Sequence, residues 1–173
     1  AIENGYQVAI MAPTEILAEQ HYKKMLYWLA PLNIQIAWLS GSQGKKERAA
    51  SLEAIDSGEA KLAIGTHALF QTQVTFKKLG FVVVDEQHRF GVEQRLALRQ
   101  KGQSADVSAP HQLMMSATPI PRTLSMSYFA DLDVSVIDEL PPGRTPIATK
   151  LVADNRRDEI IERVRLACQQ GAQ

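Results

Sequence analysis

Four short apolar blocks punctuate the first half of this chain, each closed by small or charged residues, and the stretches between them follow a helical period. Ala1 to Asn4 read as the last turn of a helix with Gly5 as its C′ residue, so more chain is expected upstream. Gln7 to Met11 (Gln-Val-Ala-Ile-Met) predicts a strand. Pro13-Thr14-Glu15 follows, with Thr14 as N-cap and Glu15 as an acid in the first turn. From Glu15 to about Ala30, residues Ala18, Tyr22, Met25 and Leu29 recur at helical spacing, Glu19 and Lys23 pair at i,i+4, and Pro31 ends the helix. Ile34 to Leu39 predicts a second strand, closed by Ser40-Gly41-Ser42. Lys45 to Asp56 predicts a basic-then-apolar helix ended by Ser57-Gly58, and Lys61 to Ile64 a third strand before Gly65-Thr66-His67.

The fourth block is the most informative. Phe81-Val82-Val83-Val84 runs straight into Asp85-Glu86-Gln87-His88. A continuous apolar run of this length suits a strand buried on both faces of a parallel sheet. Further on, a helix from near Val92 to Lys101 and a polar loop from Gly102 to Ser108 lead to a fifth strand, His111 to Met115. Ser116-Ala117-Thr118-Pro119 then opens a helix whose Pro119 and Pro121 fall in its first turn, where prolines are tolerated. Leu132 to Ile137 predicts a sixth strand. Strands alternating with helices in this way predict an α/β fold: a mostly parallel sheet with helices on both faces and right-handed crossovers.

Leu140-Pro141-Pro142-Gly143-Arg144-Thr145-Pro146 has linker composition, which sets an expected boundary at 141–147. Beyond it, Ala148 to Val152 predicts a strand. Asn155 to Gln170 predicts an amphipathic helix with Ile160, Val164 and Ala167 on one stripe, ended by Gly171. One strand and one helix enclose no core, so 148–173 is expected to begin a second domain.

Composition narrows little. With Lys+Arg and Asp+Glu at 19 each, net charge gives no reason to expect a nucleic-acid partner, and any such case rests on local clusters. The single Cys168 excludes an internal disulfide and fits a reducing compartment. No apolar run approaches the roughly 20 residues of a membrane span, and Ala1-Ile2-Glu3-Asn4-Gly5 has no signal-peptide character. A cytoplasmic location without a membrane partner is expected.

Ligands of open α/β sheets bind beyond the carboxyl ends of the strands. Five strand ends supply small, polar or charged groups there: Pro13-Thr14, Ser40-Gly41-Ser42, Gly65-Thr66-His67, Asp85-Glu86 and Ser116-Ala117-Thr118. Hydroxyls and free N–H groups on one edge suit phosphate. Adjacent acids at a strand end suit a Walker-B role, in which an Asp holds Mg²⁺ and the next acid acts on the attacking water. Gly41-Ser42-Gln43-Gly44-Lys45-Lys46 imitates a phosphate loop but lacks the first glycine and the Ser or Thr after the lysine, so it is rejected as a Walker A. Lys45, Lys46 and Arg48 fit either a solvated helix start or a phosphodiester contact. His88 lacks partners at zinc-ligand spacing and fits better as a hydrogen-bonding link between the acid pair and Ser116 or Thr118. His21 and His111 read as ordinary surface or packing residues, and Trp28 and Trp38 as core.

In order along the chain, Ala12-Pro13-Thr14-Glu15-Ile16-Leu17-Ala18-Glu19-Gln20-His21, Gly65-Thr66-His67-Ala68-Leu69, Asp85-Glu86-Gln87-His88-Arg89-Phe90-Gly91-Val92 and Ser116-Ala117-Thr118-Pro119-Ile120-Pro121-Arg122-Thr123 resemble motifs Ia, Ib, II and III of superfamily 2 helicases. They are particularly similar to the RecG family of bacterial helicases, which unwind and branch-migrate forked DNA. Asp138 to Pro146 also resembles that family's link between motor lobes. The resemblance implies a RecA-like, P-loop NTPase-type lobe over 1–140 that lacks its Walker A strand, the link at 141–147, and the start of a second lobe at 148–173. It implies ATP and Mg²⁺ as cofactors, with Asp85 holding the metal through water, Glu86 activating the hydrolytic water, and Gln87, His88, Ser116 and Thr118 coupling nucleotide state to DNA. Pro13, Thr14, Thr66 and His67 would lie along the DNA through phosphate contacts; Gly41, Ser42, Lys45, Gly65 and Arg122 complete the candidate set. The partners implied are forked or branched DNA and the remaining lobe and wedge domain of the same polypeptide. The 173 residues alone are expected to hydrolyse no ATP. Two alternatives stand beside this reading: the translocase lobe of a transcription-repair coupling factor, and a non-catalytic DNA-binding module with a vestigial motor fold.

Overall fold

The structure, a computed structural model, describes residues 1–91, 101, 109–118, 133–144, 147 and 149–171. It divides into two compact units, Ala1–Met126 and Ser127–Gln173. Five strands of the first unit form one sheet: β1 (Gln7–Met11), β2 (Ile36–Leu39), β3 (Leu62–Gly65), β4 (Leu79–Val84) and β5 (His111–Met114), in the order β2-β3-β1-β4-β5. Every pairing is parallel. Two helices connect them: α1 (Glu15–Leu29) leads from β1 to β2, and α2 (Lys45–Asp56) from β2 to β3. The chain therefore steps outward from β1, returns to it at β3, and then crosses to the far side as β4. That reversal is a topological switch point beside β1, where open α/β sheets hold their ligands.

Side-chain alternation builds two cores. Val8 and Ile10 of β1, with Leu62 and Ile64 of β3, face Tyr22, Met25 and Leu29 of α1. Ala9 and Met11 face the opposite way with Leu39, Val82 and Val84, and Ile55, Leu52 and Ala54 of α2 pack there. β1 is buried on both faces, and β4 fully on the Val82 and Val84 side and partly on the Phe81 and Val83 side, which is why both read as continuous apolar runs. The stripe expected on α1 is present, Glu19 and Lys23 pair at 2.8 Å, and Thr14 caps the helix by accepting from the Leu17 amide at 3.4 Å. Lys45–Asp56 is helical over the expected span, and Gly5 takes the left-handed conformation of a C-cap.

Three expectations are corrected. Asp133 to Ile137 pair with no strand, and Val134, Val136 and Ile137 are exposed. Alternation gives a segment strand potential, but a neighbour's ladder must realise it. Thr149 to Val152 likewise form no strand. Trp28 is 51% exposed, with the Lys24 ammonium 5.3 Å from its ring centroid. At 100° per residue it is turned well away from the inward-facing stripe that includes Leu29, whereas Trp38 packs against Tyr22 at 5.5 Å.

Residues 92–100 of the helix expected up to Lys101, the loop 102–108 and the helix after Thr118 lie outside the described residues. In the second unit a short 3-10 turn leads into α3 (Arg157–Gln169), which buries none of its residues; Gly171 closes it with φ 87. Among the described residues no helix is long and apolar enough to cross a membrane.

Candidate functional site

β4 delivers its two acids to the edge that β1 and β5 share. The Asp85 amide donates to the Met11 carbonyl at 2.8 Å, and the Gln87 amide to the Met115 carbonyl at 2.9 Å. Between these ties the chain turns sharply: Glu86 has φ 49 and ψ 51, a left-handed conformation that costs a non-glycine residue roughly 1 kcal/mol or more. A short 3-10 turn, Gln87–Arg89, follows.

Asp85 is held at both oxygens. Oδ1 accepts from the Glu86 amide at 2.9 Å, and Oδ2 accepts from His21 Nε2 of α1 at 2.8 Å. Glu86 is less satisfied. Its Oε2 is buried without a hydrogen-bond partner among the described residues; His88 Nδ1 stands 3.4 Å away but lacks hydrogen-bond geometry to it. The same nitrogen lies 3.3 Å from Ser116 Oγ and 3.4 Å from Thr118 Oγ1, and those two hydroxyls are 2.9 Å apart. His88 therefore stands between the second acid and the hydroxyls that follow β5. Gln87 Oε1 is also buried without a partner among the described residues.

Pro13, Thr14, Leu17, Glu86, His88, Arg89 and Thr118 line one cleft of about 280 Å³. It opens between the ends of β1, β4 and β5, beside the switch point. Buried polar atoms normally find partners, so an unpartnered carboxylate oxygen beside a cleft is a place for a bound polar group or water.

The β2–α2 loop sits beside the start of α1. Ser42 donates its amide (3.1 Å) and hydroxyl (2.8 Å) to the Glu15 carboxylate. These bonds, the hydroxyl's first, hold the Glu15 carboxyl below the usual glutamate range. Gly41, Lys45 and Lys46 are exposed. Arg48 is turned inward, donating to the Ser40 carbonyl at 3.2 Å and to Gln71 Oε1 at 2.6 Å; it braces the loop. Gly65 ends β3. His67 is exposed beyond it, but Thr66 is only 2% exposed and its hydroxyl lies beneath the surface. Arg122 is outside the described residues.

His21 is the residue that reading the sequence as surface or packing missed. The available signal was its spacing: it falls seven residues after Thr14, two helical turns on, and so on the face of α1 that Thr14 turns toward the cleft. Leu17 and Arg89 also line the cleft without having been singled out.

The family model for DEAD/DEAH box helicases matches residues 1–127. The chain belongs to that family. This helicase chain is 60% identical to the ATP-dependent DNA helicase RecG of Escherichia coli K12, over 97% of this chain and 24% of that protein. It is 58% identical to RecG of Haemophilus influenzae, with the same coverage of 97% and 24%. It thus spans about a quarter of the length of the curated relatives it matches. Among solved structures it resembles RecG bound to a three-way DNA junction, with a TM-score of 0.78 and 41% identity over 96% of this chain and 22% of that one. The five-stranded parallel sheet is the RecA-like fold of these helicases.

Proposed function

We propose that this chain belongs to a RecG-type, ATP-dependent DNA helicase that branch-migrates forked or junction DNA in repair and recombination. In this reading residues 1–140 form most of the first motor lobe, 141–147 the link and 148–173 the start of the second lobe. The carrying observation is the acid pair that follows β4 at the switch point of the sheet, its second member, Glu86, lining a cleft with Pro13 and Thr14 after β1 and Thr118 after β5.

The donor set fits a magnesium nucleotide. Mg²⁺ is commonly held by one or two carboxylates together with substrate phosphates, and the residues after β4 present two, one of them with a buried oxygen that lacks a partner among the described residues. Asp85, directly after β4, would hold the ion through water. Bound Mg²⁺–ATP supplies the phosphoanhydride whose cleavage drives movement. Glu86, with an oxygen lacking a partner, orients the attacking water and receives its proton. His88, linked to Ser116 and Thr118, relays the state of that acid toward the strand end where DNA is held, and Gln87 serves the same coupling. Pro13, Thr14, Gly41, Ser42, Lys45 and His67 offer the edge to phosphates, with Gly65 and Thr66 shaping the backbone beneath and Arg122 completing the set. The remaining lobe and a wedge domain of the same polypeptide would complete the site and choose the DNA structure, in the cytoplasm.

The test uses the full-length polypeptide. Forked DNA should stimulate its ATP hydrolysis, and Glu86→Gln should lower that turnover by about 10² to 10⁴-fold, the usual contribution of a general base, while junction binding persists. Turnover unchanged by Glu86→Gln would overturn the reading.

A further inference from the structure

The contact between His21 and Asp85 has no part in the roles assigned above. The two residues are 64 positions apart, and Nε2 of one lies 2.8 Å from Oδ2 of the other, with side chains only 26% and 22% exposed. Thr14 and Leu17 line the cleft beside Glu86, whereas His21, farther along α1, hydrogen-bonds Asp85 directly. The helix supplying it is firmly based. Tyr22, the next residue, packs into the core beneath with Met25 and Leu29, and Thr14 and Glu15 fasten the first turn. A donor on such a base fixes a carboxylate's direction better than one on a loop, because its own rotamer is set by packing.

We propose that His21 is a positioning residue: by donating from Nε2 to Asp85 Oδ2 it sets the angle at which Asp85 presents its remaining lone pairs to the hydrated Mg²⁺ of the nucleotide. The inference rests on Asp85 being the carboxylate on the metal side, as proposed above. Without His21, Oδ2 loses its donor while Oδ1 keeps the neighbouring Glu86 amide, so the carboxylate can rotate about that bond. A carboxylate has lone pairs to spare beyond these two bonds, so the His21 contact orients Asp85 without filling it. Removing an outer partner of a metal-binding group typically weakens metal binding or activity ten- to a hundredfold.

The experiment compares full-length wild type, His21→Phe (ring kept, donor lost) and His21→Gln (donor kept on an amide). Mg²⁺ is titrated at saturating ATP and forked DNA, and Mg²⁺-dependent binding of a fluorescent non-hydrolysable ATP analogue is measured alongside. In His21→Phe the Mg²⁺ concentration for half-saturation should rise about tenfold in both measurements, the loss lying there rather than in kcat, and His21→Gln should recover most of it. Equal half-saturation in all three proteins, an equal shift in Gln and Phe variants, or tighter Mg²⁺ binding in His21→Phe would overturn the proposal. His21→Leu replaces the Phe variant if thermal melting shows the latter unfolded. A Glu86→Gln control that retains wild-type turnover would instead defeat the reading of the acid pair, so the two failures are distinguishable.

Discussion

Gln7 reaches from the central strand to Ile55 at the end of α2, its Nε2 donating to that residue's carbonyl at 2.7 Å. The same amide donates to the Ala60 carbonyl at 2.9 Å, and Oε1 accepts from the Lys78 amide at 3.0 Å. One polar side chain, 2% exposed, thus ties β1 to the turn after α2 and to the segment entering β4. In Gln7→Leu the Ile55 carbonyl keeps the Gly58 amide, but the Ala60 carbonyl and Lys78 amide lose this partner. At about 1–3 kcal/mol for each orphaned group, the urea unfolding free energy should fall by about 3 kcal/mol.

Gly65 tolerates no side chain. A Cβ there would stand 2.0 Å from the Leu39 carbonyl oxygen on the paired strand, and backbone in a sheet cannot step aside. Gly65→Ala should therefore part β2 from β3 and cost at least about 3 kcal/mol, the upper range of overpacking penalties. In Gly41→Ala the new carbon would meet only Glu15 Oε1 at 3.7 Å, an ordinary contact, and stability should change by less than about 0.5 kcal/mol. Thermal melts followed by circular dichroism separate the two.

Glu15 makes stability depend on acid in one direction. Its folded carboxyl titrates below the usual value of 4.5, because the Ser42 hydroxyl and then the Ser42 amide bond the ionised form. A depressed folded pKa stabilises above the unfolded pKa, and that contribution disappears as pH falls through the folded value. Urea midpoints of wild type and Glu15→Gln should therefore differ most at neutral pH and converge below pH 4.5. A gap that widens on acidification would contradict the assignment.

Residues 1–173 purified alone should hydrolyse no ATP above the buffer background. Their sequence holds no Gly-x-x-x-x-Gly-Lys-Ser/Thr loop, and phosphoryl transfer depends on a phosphate cradle as well as on acids. A colorimetric phosphate assay with Mg²⁺ checks this. Turnover that disappears in Glu86→Gln would refute it.

Local pattern carried much of the molecule. The spans of β1, α1 and α2, the Thr14 cap, and the emergence of Asp85 and Glu86 from an apolar strand were legible because each depends on residues within a few positions of one another. The same locality misled at Asp133–Ile137, where alternation promised a strand that no neighbour pairs. What the sequence could not decide was which distant groups meet. β1 lies between β3 and β4, Thr66 turns inward, Gln7 is a buried tie, and His21 reaches Asp85 across 64 residues. Those outcomes depend on strand order, register and the direction in which α1 crosses the sheet, and long-range packing fixes these together only when the whole lobe closes.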